Sequence, residues 1–260
     1  MGDAPDHQLL VAEVLGIRGA PVELARKLVA QALVVEDRRD AWLQAGERIC
    51  RDAPSTPGVY VLRDEGGRVL YVGKAINLRR RLRTHFAERR WRALKADMSR
   101  AASVEWHQVG SEIEALLREA ALIRELRPPV NVQVGQPALD ARAIPRALIR
   151  AVLLVLPSIE ADSVELLAAR ADGAWMIQRT RKNGADLGVH SRRIKAFFKR
   201  SVGLPARDGD SALVFSWLAQ RGAATTRLDP HDCRSARELA VRLDALLGDD
   251  RLFVERLDQR

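Results

Sequence analysis

The sequence predicts an α+β protein: a small α/β sandwich built on a three-stranded antiparallel sheet, preceded by a helical segment and followed by a mixed α/β domain. Three observations carry that expectation. Residues 7–50 show helical spacing of apolar positions. The stretch after Pro57 reads strand, strand, helix, strand, helix, the order of a small two-layer unit. Beyond Pro137, short runs rich in Val and Leu alternate with turn residues before helical patterns return. The boundaries this suggests are 1–53, 54–137 and 138–260.

In the first segment, LLVAEVLGI, PVELARKLVAQALVV and RDAWLQAGERIC read as helices, with Pro21 suited to a first helical turn and Gly16 and Gly19 punctuating the connection. No residue here points to chemistry, so a packing or partner-binding layer is expected. DAPSTPG (52–58) is the linker into the second segment. Two Val/Leu/Tyr-rich runs separated by Asp64-Glu65-Gly66-Gly67 give a hairpin signal. A helix is predicted from Asn77, a basic helical stretch over roughly Ala87 to Ala101, and a third strand over Ser103 to Val109. A further helix starts after Ser111 and ends before Pro128-Pro129. In the third segment LIRAVLLVLP, SVELLAARAD and AWMIQRTRKN read as strands, and HSRRIKAFFKR and Ser235 to Leu247 as helices. Ile194, Phe197 and Phe198 should be buried, leaving Arg192, Lys195 and Lys199 outward.

Bulk properties narrow the function. A 260-residue chain with 47% hydrophobic residues suffices for a sizeable core, and a net charge of +9 favours a polyanionic partner, nucleic acid first and an anionic membrane surface second. MGDAPDHQLL has no basic leader and no apolar segment of signal-peptide length, and the longest apolar run, Ala151 to Leu156, is too short to span a bilayer. A soluble, cytoplasmic, nucleoid-associated protein is the expectation. Cys50 and Cys233 form no CxxC pair and suit inert, buried thiols rather than a cluster.

The residues able to do chemistry gather between Thr56 and Phe86 and at Glu119. A symmetric loop over Asp64–Gly67 sets Tyr60 directly opposite Tyr71 on one sheet face. An aromatic pair that merely stabilises the hairpin is the competing reading. In NLRRRLRTHF, Asn77 is an N-cap and Leu78, Leu82 and Phe86 form the buried row. Arg81 and His85 sit beside that row, while Arg79, Arg80 and Arg83 point toward solvent. A guanidinium aimed at a sheet needs an anionic partner, whereas the outward arginines suit phosphate contact or a plain solvated face.

On the next helix Ser111 and Glu114 form a capping box, and Ile113, Leu116, Leu117, Ala120, Ile123 and Leu126 make an apolar stripe. Glu119 falls inside that stripe. A carboxylate there calls for a cation: Arg81 in a structural salt bridge, or a metal ion.

PGVY…LYVGKAINLRRRLRTHF followed by SEIEALLREAALIRELRPPVN resembles the GIY-YIG nuclease domain of UvrC excinucleases, with short Cho-type endonucleases as the nearest likeness. The resemblance covers residues 54–135, roughly a third of the chain. It implies that Tyr60 and Tyr71 are the motif tyrosines, Lys74 the lysine after the second motif, Arg81 the helix arginine, Glu119 the metal-binding glutamate and Asn131 the asparagine near the active site. Val59 and Val72 replace isoleucines, His85 stands where an aromatic hydroxyl is frequent, and Val130 replaces a tyrosine beside Asn131. The implied activity is DNA endonuclease chemistry with one Mg²⁺ or Mn²⁺ on Glu119, Tyr60 orienting or deprotonating water, and Arg81, Tyr71 and Lys74 neutralising phosphate. Arg79, Arg80, Arg83 and Asn131 are the expected DNA contacts, and a UvrA/UvrB-type damage-recognition complex is the implied partner. UvrC proteins also carry a second nuclease domain, helix-hairpin-helix modules and a cysteine cluster, for which this sequence has no counterpart, so a single incision in nucleotide excision repair is expected. Two alternatives stay open: a GIY-YIG nuclease of another DNA-processing pathway, and a catalytically silent DNA-binding module.

Overall fold

The computed structural model describes residues 6–87, 96–134, 152–170, 172–199, 209–221 and 225–248. Two compact units result, Met1–Gln108 with Ala121–Gln136, and Val109–Ala120 with Pro137–Arg260.

The first unit opens with α1 (His7–Leu15), α2 (Val22–Asp37) and α3 (Arg39–Asp52). Asp6 caps α1 by accepting from the Gln8 and Leu9 N–H groups, and Gly16, at φ 65°, ends it in the left-handed conformation that glycine tolerates. Val11, Leu15, Ala20, Ala25 and Leu28 close a small core between α1 and α2.

The sheet consists of β1 (Gly58–Arg63), β2 (Val69–Ala75) and β3 (Ser103–Gln108), in the order β2-β1-β3 and antiparallel throughout. The helix α4 (Leu78–Ala87) follows β2. Of the basic stretch expected over 87–101, the described part is a 3₁₀ turn, Ala96–Arg100; residues 88–95 lie outside the described residues.

The hairpin register differs from the symmetric expectation. Asp64 N–H donates to Arg68 O at 3.0 Å, Arg68 N–H donates to Asp64 Oδ1 at 2.9 Å, and Gly67 takes φ 79°. The loop is therefore three residues closed by a left-handed glycine. Leu70 is then left over between the pairs Arg63↔Val69 and Leu62↔Tyr71, a β-bulge. Together these shifts put Tyr60 opposite Gly73 and Tyr71 opposite Leu62. The displacement is two residues, so both tyrosines keep the same face.

That face is covered by α3 and α4, with Trp42, Ala45, Ile49, Leu62, Leu70, Leu78, Leu82 and Phe86 in one core. Burying side chains as large as Trp42 and Phe86 stabilises by about 1.5–3 kcal/mol each. Their rings lie 4.4 Å apart, and the indole N–H donates to Phe86 O at 3.0 Å. Gly46 makes this possible, because a Cβ there would come within 2.8 Å of the Phe86 ring. The first segment is thus part of the wall of the small sandwich, not a detached layer.

Every donor at the start of α4 is engaged. Leu78 N–H reaches Thr56 O, Arg79 N–H reaches Pro54 O, Arg80 N–H reaches the Asn77 side chain and Arg81 N–H reaches Asn77 O. This confirms Asn77 as the cap and ties the 53–56 linker to the helix.

Helix α5 (Glu112–Leu126) contributes to both units, and α6 (Pro129–Val134) follows it. The second unit has β4 (Val152–Pro157), β5 (Ser163–Ala169), β6 (Trp175–Arg181) and β7 (Thr226–Leu228), ordered β6-β5-β4-β7. Its helices are α7 (Leu187–Lys199), α8 (Gly209–Arg221) and α9 (Ala236–Leu247). All seven residues of β5 are buried, because both faces of the sheet are covered. One face packs on Leu187, Ile194, Leu239 and Leu243; the other packs on Val214, Trp217, Leu218 and Ile113. Lys195 is not outward as expected: its ammonium donates to Pro230 O at 3.0 Å and Cys233 O at 2.6 Å, closing the chain beneath α9. Phe197 and Phe198 are half-buried against the same core. Both cysteines are free, and burial raises the pKa of each thiol. Among the described residues no helix is long and apolar enough to cross a membrane.

Candidate active site

The β-bulge and the three-residue turn decide which side chains meet. Tyr60 on β1 and Tyr71 on β2 lie diagonally across the strands, ring centroids 5.9 Å apart. Gly73, directly opposite Tyr60, provides the space: a Cβ there would lie 2.6 Å from the Tyr60 hydroxyl and 2.7 Å from the Tyr71 ring. Tyr60 is 0% exposed, while Tyr71 is half-buried.

Helix α4 completes the cluster from above. His85 is 3% exposed, and its ring centroid lies 5.5 Å from Tyr60 and 5.9 Å from Tyr71. The Tyr60 hydroxyl and His85 Nε2 share a short hydrogen bond. In the tautomer protonated at Nδ1, the buried imidazole accepts the hydrogen bond of the buried phenol.

Arg81 stands one helical turn before His85, on the same flank. Burial opposes its charge, but attraction and hydrogen bonding from Tyr60, then from Tyr71, outweigh that and hold its pKa above the ordinary arginine value. The expectation that one arginine of this helix turns toward the sheet holds, and its partners are two phenols.

The other expected residues are placed less uniformly. Lys74 pairs with Val59 and, by strand alternation, projects from the face opposite Tyr71 and Gly73. Arg80 and Arg83 are exposed, as expected. Arg79 corrects the expectation of a solvent-directed side chain: it is half-buried and its Nε donates to Ala53 O at 2.6 Å, fixing the linker.

Asn131 shows a fold-holding role in place of an exposed contact. Its Oδ1 accepts from Val72 N–H and its Nδ2 donates to Val72 O, both at 2.8 Å. An amide engaged twice on the outer edge of β2 supplies what a fourth strand would supply. Val130, beside it in sequence, is fully buried in the first core and anchors this turn of the chain.

Glu119 is half-buried on the third turn of α5. Ser111 caps the helix through Glu114 N–H at 3.3 Å, while the Glu114 carboxylate accepts from Gly110 N–H at 2.9 Å, one residue earlier than in the usual capping box. The expected stripe divides in two. Ile113, Leu116 and Leu117 pack on the second sheet, while Ala115, buried, stands one turn before Glu119 on an adjoining flank. A shielded carboxylate oxygen suits a hard divalent cation. Among the described residues no three metal-ligating side chains gather in one place, so an ion on Glu119 would keep most of its coordination as water, as Mg²⁺ does.

Sequence reading placed His85 beside the buried row but gave it no role, and did not single out Gly73. The signal for His85 was present in its four-residue spacing from Arg81; the role of Gly73 depends on a register that only the bulge reveals.

Residues 56–132 match the family model described as a UvrC-like GIY-YIG domain. The UvrABC system protein C of Kocuria rhizophila is 49% identical over 84 residues, which is 32% of this chain and 12% of that protein. The corresponding protein of Paenarthrobacter aurescens is 51% identical over 83 residues, 31% of this chain and 12% of its own length. The chain therefore matches only about an eighth of these relatives' length. Among solved structures, the N-terminal endonuclease domain of UvrC from Thermotoga maritima, bound to magnesium as its catalytic divalent cation, is 32% identical. That match covers 33% of this chain and 94% of that domain, with a TM-score of 0.30.

Proposed function

Residues 56–132 form a UvrC-like GIY-YIG domain, and from that premise we propose that the chain is a metal-dependent DNA endonuclease making a single incision in nucleotide excision repair. The observation that carries this reading is the meeting of Tyr60, Tyr71, His85 and Arg81 in one cluster. Two phenols, an imidazole and a guanidinium form a set that moves a proton beside a phosphate.

Tyr60 Oη takes the proton of the attacking water and passes its own to His85 Nε2, which accepts in the tautomer protonated at Nδ1. Water oxygen then bonds to phosphorus as a P–O ester bond breaks, the leaving oxygen takes a proton from solvent water, and His85 returns its extra proton to solvent. Arg81, already aligned by both phenols, faces the charge that develops on the non-bridging oxygens. Tyr71, the more exposed phenol, positions the phosphate, and Lys74 adds positive charge at the end of β2. Glu119 would hold one Mg²⁺ or Mn²⁺, which when bound supplies Lewis-acid stabilisation of phosphate charge. Arg80 and Arg83 contact the DNA backbone. Residues 54–137 serve as the nuclease domain, a UvrA/UvrB-type complex delivers the lesion, and the chain works at the nucleoid.

The test is incision of an end-labelled duplex bearing one bulky lesion, in Mg²⁺, with and without a UvrA and UvrB complex. One cut near the lesion that needs the complex and vanishes in Glu119→Ala is the expected outcome. His85→Phe, which keeps the ring volume and loses the proton acceptor, should lower the rate about 100-fold. Cutting of undamaged or branched DNA without the complex would remove the repair role, and undiminished cutting by Glu119→Ala would remove the metal assignment.

A further inference from the structure

The second unit includes the first part of α5, through Ala120, and holds the stretch on which Glu119 stands. Its hold on α5 is both apolar and charged. Ile113, 0% exposed, sits in a core with Val152, Leu154 and Leu167, and Leu116 and Leu117 pack beside it. Gly110 lies so close to β4 that a Cβ would come within 2.3 Å of Ser158. Glu112 receives the Trp217 indole N–H and the Arg221 guanidinium, each at 3.4 Å.

The charged part centres on Arg179 of β6. Its Nε donates to Glu165 Oε1 at 2.6 Å and its Nη1 to Glu160 Oε1 at 2.7 Å. Its Nη2 lies 3.8 Å from Glu114 Oε1, the carboxylate whose other oxygen holds Gly110 N–H at the start of α5. The Glu165 side chain is only 7% exposed, so a guanidinium beside it is required rather than ornamental. Two bonds to fixed carboxylates immobilise the fork of Arg179, and its third nitrogen then faces the first turn of α5 from a rigid platform. With Ile113, Leu116 and Leu117 bound to the sheet, Ala115 and Glu119, one turn apart, lie on an adjoining flank of the same fixed helix.

From this arrangement we infer that Arg179, through Glu114, is a positioning residue for the metal ligand Glu119, and that the second unit acts as the seat of the metal-binding helix. The inference rests on the assignment of Glu119 made above. Outer partners that orient a metal ligand change metal affinity by about 10–100-fold when removed. A brace that served stability alone would leave metal affinity unchanged.

The experiment measures Mn²⁺ binding to the full chain by the loss of its free-ion electron paramagnetic resonance signal, without DNA. Wild type is compared with Arg179→Ala, Arg179→Lys, Glu114→Gln and Glu119→Ala, with thermal unfolding and DNA affinity in EDTA recorded for each. Arg179→Ala should bind Mn²⁺ about tenfold more weakly and need correspondingly more Mg²⁺ for half-maximal cutting, with DNA affinity in EDTA unchanged. Arg179→Lys should recover most of the loss. Glu114→Gln keeps the Gly110 contact and removes the charge, so it carries the test should Arg179→Ala fail to fold. Wild-type Mn²⁺ affinity in Arg179→Ala or a folded Glu114→Gln, with binding lost in Glu119→Ala, would overturn this inference and leave the proposed function standing. Wild-type affinity in Glu119→Ala would instead overturn the ligand assignment, and this inference with it.

Discussion

At the scale of single residues, the cluster of Tyr60, Tyr71 and His85 depends on an atom that is missing. Gly73 has no side chain, and that vacancy is filled by the Tyr60 hydroxyl on one side and the Tyr71 ring on the other. Both rings are held from further sides, Tyr60 by His85 and Arg81 and Tyr71 by Arg81, so neither can yield to a new methyl group without breaking those contacts. Gly73→Ala should therefore destabilise the domain by about 1–3 kcal/mol, the usual cost of overpacking. It should also cut DNA cleavage far more than that figure suggests, because the proton pair itself is displaced. Urea unfolding and single-turnover cleavage measured on the same variant check this; a stable variant with full activity would refute it. Sequence reading found the tyrosines and Arg81 from strand alternation and helical spacing, both of which are local rules. It missed Gly73 and gave His85 no role because their importance lies in what touches them across the sheet.

At the scale of elements, β2 is an edge strand that would expose the backbone of the site to solvent or to another chain. Asn131 covers it at Val72, between the tyrosine and glycine of the cluster. Asn131→Ala removes a donor and an acceptor together, leaving the Val72 N–H and C=O to find water. About 1–3 kcal/mol of stability should be lost, and amide exchange should quicken at Val72 before it quickens at β1. Exchange that rises equally along both strands would mean that Asn131 supports the sheet generally and not this edge. Helices α1 to α5, α7 and α9, the hairpin and β3 were legible from periodicity and turn residues. The register was not, since Gly67 and the surplus Leu70 each move it by one residue and only their combination restores the facing of the tyrosines. In the third segment, β7 has three residues, too few for alternation to register. Helix α8 went unread although Val214 and Leu218 stand four apart and boundary residues flank it, Asp210 and Ser211 at its start and Gly222 after its end.

At the scale of the whole molecule, charge shapes both binding and stability. The net charge of +9 favours a polyanion without saying where it lies, and several cations counted in it are engaged inside the protein. Arg79 bonds the linker, Lys195 bonds two carbonyls, and Arg170 bonds Asp172 and Phe197 O while its guanidinium stands 5.3 Å from the Phe197 ring centre. The last of these makes stability depend on pH. Burial pushes the Asp172 carboxyl upward, but the hydrogen bond from Arg170, the Ala174 N–H and the charge of Arg170 outweigh it and hold its pKa below the ordinary aspartate range. Between the lowered folded value and the ordinary unfolded one, the unfolded chain binds more protons, so stability rises with pH there. The contribution is fully present above the ordinary aspartate pKa and is lost as pH falls through the lowered one. Asp172→Asn should thus be less stable than wild type at neutral pH, with the difference narrowing as both are taken into acid, because wild type then loses the same charge. Urea midpoints from pH 7 to pH 3 measure it. A gap that stayed constant over that range would show that the carboxylate contributes by shape and hydrogen bonding alone, with its charge playing no part in holding α7 against the end of β5.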